Sequence, residues 1–175
     1  MRGEPVDQLV QDTYAELRRL ASRYVRRDRN ASVQATDLLH EAYLRLSKTA
    51  NPAWKDRRHF VAIAAISMRR LLVERARARG ADKRGGGQVR VTLDDSLFAP
   101  ASPILHVDIV ALDRALERLA AVDSQHARIV ELRYFGGMSV PETAEALGVS
   151  EATVKRHWTF ARAWLLRELE GAEHV

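Results

Sequence analysis

The sequence predicts an all-α fold: two small helical domains joined by a flexible linker, the second domain carrying a helix-turn-helix. Three observations lead there. Apolar residues recur at helical spacing through most of the chain. One stretch near the middle, Gly80 to Val107, breaks the pattern with Gly85-Gly86-Gly87, Asp94-Asp95, Pro100 and Pro103. Near the end, Ser139, Gly148 and Ser150 stand where helices would start, stop and start again.

Val6 to Arg27 places Leu9, Val10, Thr13, Tyr14, Leu17, Leu20, Ala21 and Tyr24 on one helical stripe, with arginines around it. A core helix with a solvated basic back accounts for it. After a polar break at Asp28 to Ser32, a second helix is expected with Thr36 as its cap, running through Asp37 to Leu46. Leu38, Leu39, Ala42, Tyr43 and Leu46 form one broad face and Leu44 lies outside it. That is more apolar surface than one buried face requires, as in a helix that touches a second partner. His40-Glu41 opens like a zinc-protease motif, but the position four residues after the histidine is Leu44, and no other histidine shows ligand spacing. No metal site and no cofactor is expected.

Asn51-Pro52 signals a turn, and Trp54 follows among Lys55, Arg57 and Arg58. The indole either stacks on an exposed base while the cations hold phosphates, or folds back on the core. His59 to Arg79 is the longest helical pattern of the first half. Phe60, Ile63, Ala64, Met68, Leu71 and Leu72 point inward, and Ser67, Arg69, Arg70, Glu74, Arg77 and Arg79 outward. A solvated basic helix interleaves acids for i,i+4 support, and Glu74 is the one on offer, so the imbalance favours a nucleic-acid face.

Residues 85–107 read as the linker, dividing the chain into domains 1–84 and 108–175. The triple glycine lacks the Lys-Ser/Thr pair and preceding strand of a phosphate loop. As a coil the linker would span about 25 to 30 Å, and stretched roughly 75 Å, near the roughly 70 Å of two DNA turns. Helices over Asp108 to Ala121 and Ser124 to Phe135 complete the second domain in front of its final pair.

In that pair, Ser139 and Glu142 form a capping box and Pro141 occupies the first turn, so a helix should start at Val140. Gly148 is placed for a left-handed end, and Ser150 for capping the next helix. There Val154, Trp158, Ala161 and Leu165 share an inward stripe, Lys155, Arg156, Thr159 and Arg162 lie off it, and Ala152 to Arg167 contains no acid. Such a helix can enter a major groove while the preceding one crosses the backbone.

Composition fits. A hydrophobic content of 46% fills a core in each domain, and the absence of Cys excludes disulfides and thiolate metal sites. No apolar run reaches membrane-spanning length and no signal-peptide pattern opens the chain, so a soluble, cytoplasmic protein is expected. The net charge of +5 is unevenly spread: residues 1–90 carry 20 basic and 10 acidic side chains, residues 91–175 carry 8 and 13. Basic excess of this kind attracts phosphates without regard to sequence. No nucleophile–base pair, metal cluster or phosphate loop suggests an enzyme.

Taken together, the chain resembles the extracytoplasmic-function group of bacterial RNA polymerase sigma factors along nearly its whole length. Asp37 to Leu44 looks like the motif that grips the polymerase clamp helices, and Phe60 to Arg79 is similar to the segment that melts and reads the minus-ten strand. Leu132 to Ser139 and Ser150 to Arg162 resemble the reader of the minus-thirty-five element. Thr36, where the family usually has an acid, and Arg156-His157, in place of a common Ser-Arg pair, depart from the pattern, so base preference does not transfer. The resemblance implies polymerase contacts from Asp37, Leu38, Glu41 and Leu44. It implies minus-ten contacts from Trp54, Lys55, Arg57, Arg58, Arg69, Arg70 and Arg77, and minus-thirty-five contacts from Ser150, Thr153, Lys155, Arg156, Thr159 and Arg162. The partners implied are core polymerase and promoter DNA, with room for an anti-sigma factor or other regulator. A helix-turn-helix repressor or activator acting without the polymerase is the rival reading, and would bind duplex tightly on its own.

Overall fold

The computed structural model describes residues 6–25, 34–48, 54–82, 90–93 and 105–172, which form seven helices and one short two-stranded ribbon. In order these are α1 (Val6–Val25), α2 (Ala35–Ser47), α3 (Arg57–Asp82), β1 (Arg90–Leu93), β2 (Leu105–Asp108), α4 (Ile109–Val122), α5 (Ser124–Val130), α6 (Val140–Leu147) and α7 (Glu151–Ala172). Between α5 and α6 the chain widens into one π-helical turn, Glu131–Phe135. The fold is all-α, as expected.

Helix α3 is the spine. From Phe60 to Val73 it buries Phe60, Val61, Ala62, Ala64, Ala65, Ile66, Met68, Leu71, Leu72 and Val73, far more than one stripe. A helix apolar on several sides has to be covered on several sides. On one flank lie α1 and α2, bringing Leu9, Leu17, Leu38 and Leu39; on the other lie α4 and the π turn, bringing Leu112, Leu116, Leu132 and Phe135. These residues form one continuous apolar cluster.

Closest approach occurs where Gly136 meets Ala62. A Cβ on Gly136 would stand 2.5 Å from the Ala62 Cβ, 2.9 Å from its Cα and 2.5 Å from the Leu132 carbonyl oxygen. Backbone atoms cannot swing aside as a flexible side chain does, so Gly136→Ala must push the π turn off α3. Overpacking of this kind costs about 1 to 3 kcal/mol. The expected result is a thermal midpoint lowered by several degrees; a midpoint equal to that of the unsubstituted chain would show that this contact yields freely.

Two expectations about boundaries need correction. Helix α2 is not capped by Thr36; it starts at Ala35 with Gln34 as N-cap, and the Asp37 carboxylate accepts from the Gln34 backbone N–H (3.3 Å). The linker is not a coil from end to end either. Arg90 pairs with Asp108 and Leu93 with Leu105 in an antiparallel ribbon. Val91-Thr92-Leu93 and Leu105-His106-Val107 are β-branched and apolar enough to suit a pleat. The ribbon returns the chain to where it left, so the extended reach of the linker is not used in this arrangement. The triple glycine, Asp94-Asp95 and the turn at Asn51-Pro52 lie outside the described residues.

The final helical pair follows its sequence signals. Ser139 Oγ accepts from the Glu142 N–H (3.3 Å), and the Glu142 carboxylate accepts from the Ser139 N–H (2.6 Å). Gly148 ends α6 with φ 67°, a conformation that costs a residue with a Cβ about 1 kcal/mol or more. Ser150 Oγ accepts from the Thr153 N–H (3.1 Å) and starts α7.

Candidate nucleic-acid interface

Helix α7 offers the most open basic surface. Val154, Ala161, Leu165 and Leu169 are buried, and Trp158 is half-buried under the Arg133 guanidinium, whose Cζ stands 4.8 Å from the ring centroid. Burial holds the Arg133 guanidinium below its usual range. With the inward stripe so fixed, Ser150, Lys155, Arg156 and Thr159 are exposed, and Thr153 and Arg162 partly so. Among the described residues Lys155 pairs with Glu151 alone, at 3.7 Å on an open surface, an interaction of little strength. All six residues expected to meet the minus-thirty-five element therefore lie on α7 from its cap at Ser150 to Arg162, in the N-terminal part of one helix.

The residues expected at the minus-ten element are arranged otherwise. Arg69, expected outside, is buried at 3% exposure, where Nη1 donates to Asp113 and Nη2 to Glu131 (3.0 Å). Its Cζ also lies 5.0 Å from the centroid of the Phe135 ring. Arg70 donates to Glu131 (3.1 Å), and Arg77 to Asp113 (3.0 Å) and Glu117 (3.3 Å). Arg58 bridges Glu16 (2.9 Å) and Glu142 (3.1 Å), Lys55 Nζ donates to the Glu145 carbonyl (2.9 Å), and Arg57 donates to the Asp12 carbonyl (2.9 Å). Most of these acceptors belong to α4, the π turn and α6. The acids of the second half, whose positions in space a linear reading cannot give, face the arginines of the first.

Trp54 takes the second of its two expected places. It is buried edge-on against Phe60, ring centroids 5.2 Å apart, and is not available to stack on a base in this arrangement. The loop that follows is held locally: Asp56 accepts from the His59 N–H (2.8 Å), and His59 Nδ1 accepts from the Lys55 N–H (3.2 Å). Burial, with Arg128 and Lys55 nearby against the opposing pull of Asp56, holds the His59 imidazole below its usual value, so it accepts as a neutral ring.

On α2, the expected polymerase contacts divide. Leu38 is wholly buried and belongs to the core, which corrects its assignment as a contact residue: at its position the broad apolar face is covered by the chain itself. Glu41 pairs with Arg75. Asp37 is exposed while capping the helix, and Leu44 is 43% exposed. Beside them a groove of about 620 Å³ runs between α1 and α2, lined by Asp7, Tyr14, Asp37, His40 and Tyr43 among others. Tyr14 is a second exposed apolar side chain here, and the Tyr43 hydroxyl donates to Asp7 (2.7 Å).

A constellation that spacing did not reveal joins α5 to α7. His126 and His157 stack with ring centroids 4.3 Å apart, and Asp123 reaches them from the corner between α4 and α5. Burial, His126 and Arg156 hold His157 below the usual imidazole value, against the pull of Asp123. Thirty-one positions separate the histidines, so only the helical hairpin brings them together.

Among the described residues, no helix is long and apolar enough to cross a membrane. No curated protein matches the chain. The family model described as ECF sigma factor matches residues 3–171. That match spans α1 through almost all of α7, and the chain therefore belongs to the ECF sigma factor family.

Proposed function

We propose that this RNA polymerase sigma factor reads promoters at two places. Residues 108–175 hold the minus-thirty-five duplex through the open face of α7, and residues 1–84 carry the polymerase on α2 and the minus-ten strand on α3. The observation that supports this best is the capped α7, acid-free from Ala152 to Arg167, with Lys155, Arg156 and Thr159 free of the core. A groove-entering helix needs such a surface at its N-terminal end. Bases of the minus-ten strand would be unstacked at about a few kcal/mol each, offset by stacking and phosphate contacts.

The arrangement described here is then the closed one. Arg58, Arg69, Arg70 and Arg77 meet carboxylates where phosphates would stand, so α4, the π turn and α6 must leave α3 before that strand binds. Among the described residues nothing covers the α2 surface around Asp37 and Leu44, so polymerase can engage first. In vitro transcription with purified core polymerase, followed by sequencing of transcript starts, tests the assignment; no initiation from any genomic promoter would refute it.

Leu44→Asp probes the polymerase surface with little cost to the fold, because the side chain is exposed. Burial of a leucine at an interface contributes about 1.5 to 3 kcal/mol. Association with core polymerase should weaken by roughly 10- to 100-fold, with the thermal midpoint nearly unchanged. Unaltered association would remove Leu44 from that surface.

A further inference from the structure

We propose that Asp123, His126 and His157 bind one divalent transition-metal ion of the zinc class. The three offer one donor atom each, all within 4.8 Å of one another. Asp123 is the N-cap of α5: its Oδ1 accepts from the Gln125 N–H (2.8 Å), leaving Oδ2 turned to His126, 3.2 Å from Nδ1. That approach has a separation but not the direction of a hydrogen bond, and His126 Nδ1 is without a hydrogen-bond partner and closed to solvent. So is His157 Nδ1. Buried ring nitrogens normally have partners. Two orphaned together among the described residues, one of them 3.2 Å from a carboxylate oxygen, are the independent mark of a missing ligand.

The chemistry of the donors narrows the ion. Two imidazole nitrogens and one carboxylate suit zinc, nickel or cobalt; calcium and magnesium prefer all-oxygen shells, and copper(I) prefers sulfur, which this set lacks. Two stacked imidazolium rings would repel, whereas two neutral rings each present a lone pair to a cation. Tetrahedral zinc, with bonds of about 2.0 to 2.1 Å, puts its donors roughly 3.3 Å apart, so side-chain rotation has to close the set by about 1.5 Å or less. Phe160, its ring centroid 4.6 Å from that of His126, packs beside the pair. The ion would pin the α4–α5 corner to α7 next to Arg156 and Thr159, making the pose of the reading helix depend on metal supply.

The test uses the untagged full chain, freed of metal by chelation and titrated with Co²⁺ and then Zn²⁺. Expected are one equivalent of Co²⁺ with the visible absorption of a tetrahedral site, its displacement by Zn²⁺, and a thermal midpoint several degrees higher with Zn²⁺. His126→Gln and His157→Gln should each lower affinity at least about 10-fold, and His40→Gln should leave it unchanged. Absence of a stoichiometric site in the unsubstituted chain, or an affinity in both variants equal to that of the unsubstituted chain, would overturn the proposal. Should either variant unfold, carboxyethylation of the unsubstituted chain decides: Zn²⁺ protects His126 and His157 if they are ligands, and unprotected histidines overturn it.

Discussion

Asp113→Asn combined with Glu131→Gln should raise the affinity of the free chain for minus-ten single-stranded DNA by one to two orders of magnitude. Both carboxylates meet Arg69, whose side chain is 4% exposed. Neutralising them leaves a guanidinium buried without compensation, a loss of about 3 to 5 kcal/mol when a buried pair is broken. The chain can escape that cost by undocking α4 and the π turn from α3, which returns Arg69 to water together with Arg70 and Arg77. Apparent affinity scales with the open fraction, and each 1.4 kcal/mol or so is tenfold, until most molecules are open. Fluorescence anisotropy with a labelled non-template strand measures the gain, small-angle scattering the expansion, and circular dichroism the retained helix. Expansion without gain would mean that the uncovered face is not where the strand binds. No expansion would mean that apolar contacts, not ion pairs, hold the halves together.

Much of this molecule was legible in the chain because its signals are local. Ser139, Glu142, Gly148 and Ser150 act within one or two turns, so the end of α6 and the start of α7 follow from residue types alone. The face of α7 likewise follows from spacing. What spacing could not supply was the partner of α3. Ala62, Ala64 and Ala65 carry little weight in a helical pattern, yet all three are buried, and the smallness of Ala62 admits Gly136 and lets a second layer cover the spine. Once that layer is present, Arg69 is no longer an outward residue. Its burial depends on Asp113 and Glu131, which are 44 and 62 positions away.

The uneven charge of the two halves gains a meaning the same way. Ten surplus positive charges before residue 91 and five surplus negative after it read, in the sequence, as attraction to phosphates. In the folded chain Arg58, Arg69, Arg70 and Arg77 satisfy Glu142, Asp113, Glu131 and Glu117 across the interface. An acidic face that matches the basic face proposed for phosphates would compete with DNA, and salt weakens both contacts. Opening and binding are therefore linked in ionic strength as well as in geometry.

Lys155→Ala with Arg156→Ala should weaken binding to minus-thirty-five duplex by roughly two orders of magnitude and leave association with core polymerase unchanged. Both side chains are exposed and α7 is anchored by Val154, Ala161 and Leu165, so the fold does not depend on them. A base-reading contact contributes about 1 to 3 kcal/mol, and each phosphate contact adds about 0.9 to the slope of log affinity against log salt. The single variants separate the two roles. If Lys155 holds a phosphate, its loss lowers affinity equally for all sequences and reduces the salt slope by about one. If Arg156 reads a base, its loss erodes discrimination at one position of the element and leaves others intact. Helix α2 packs on α1 and α3 whereas α7 packs on α4, α5 and α6, so a variant that also lost polymerase binding would show that α7 and α2 do not serve separate partners, and the assignment of two surfaces to two ligands would fail with it.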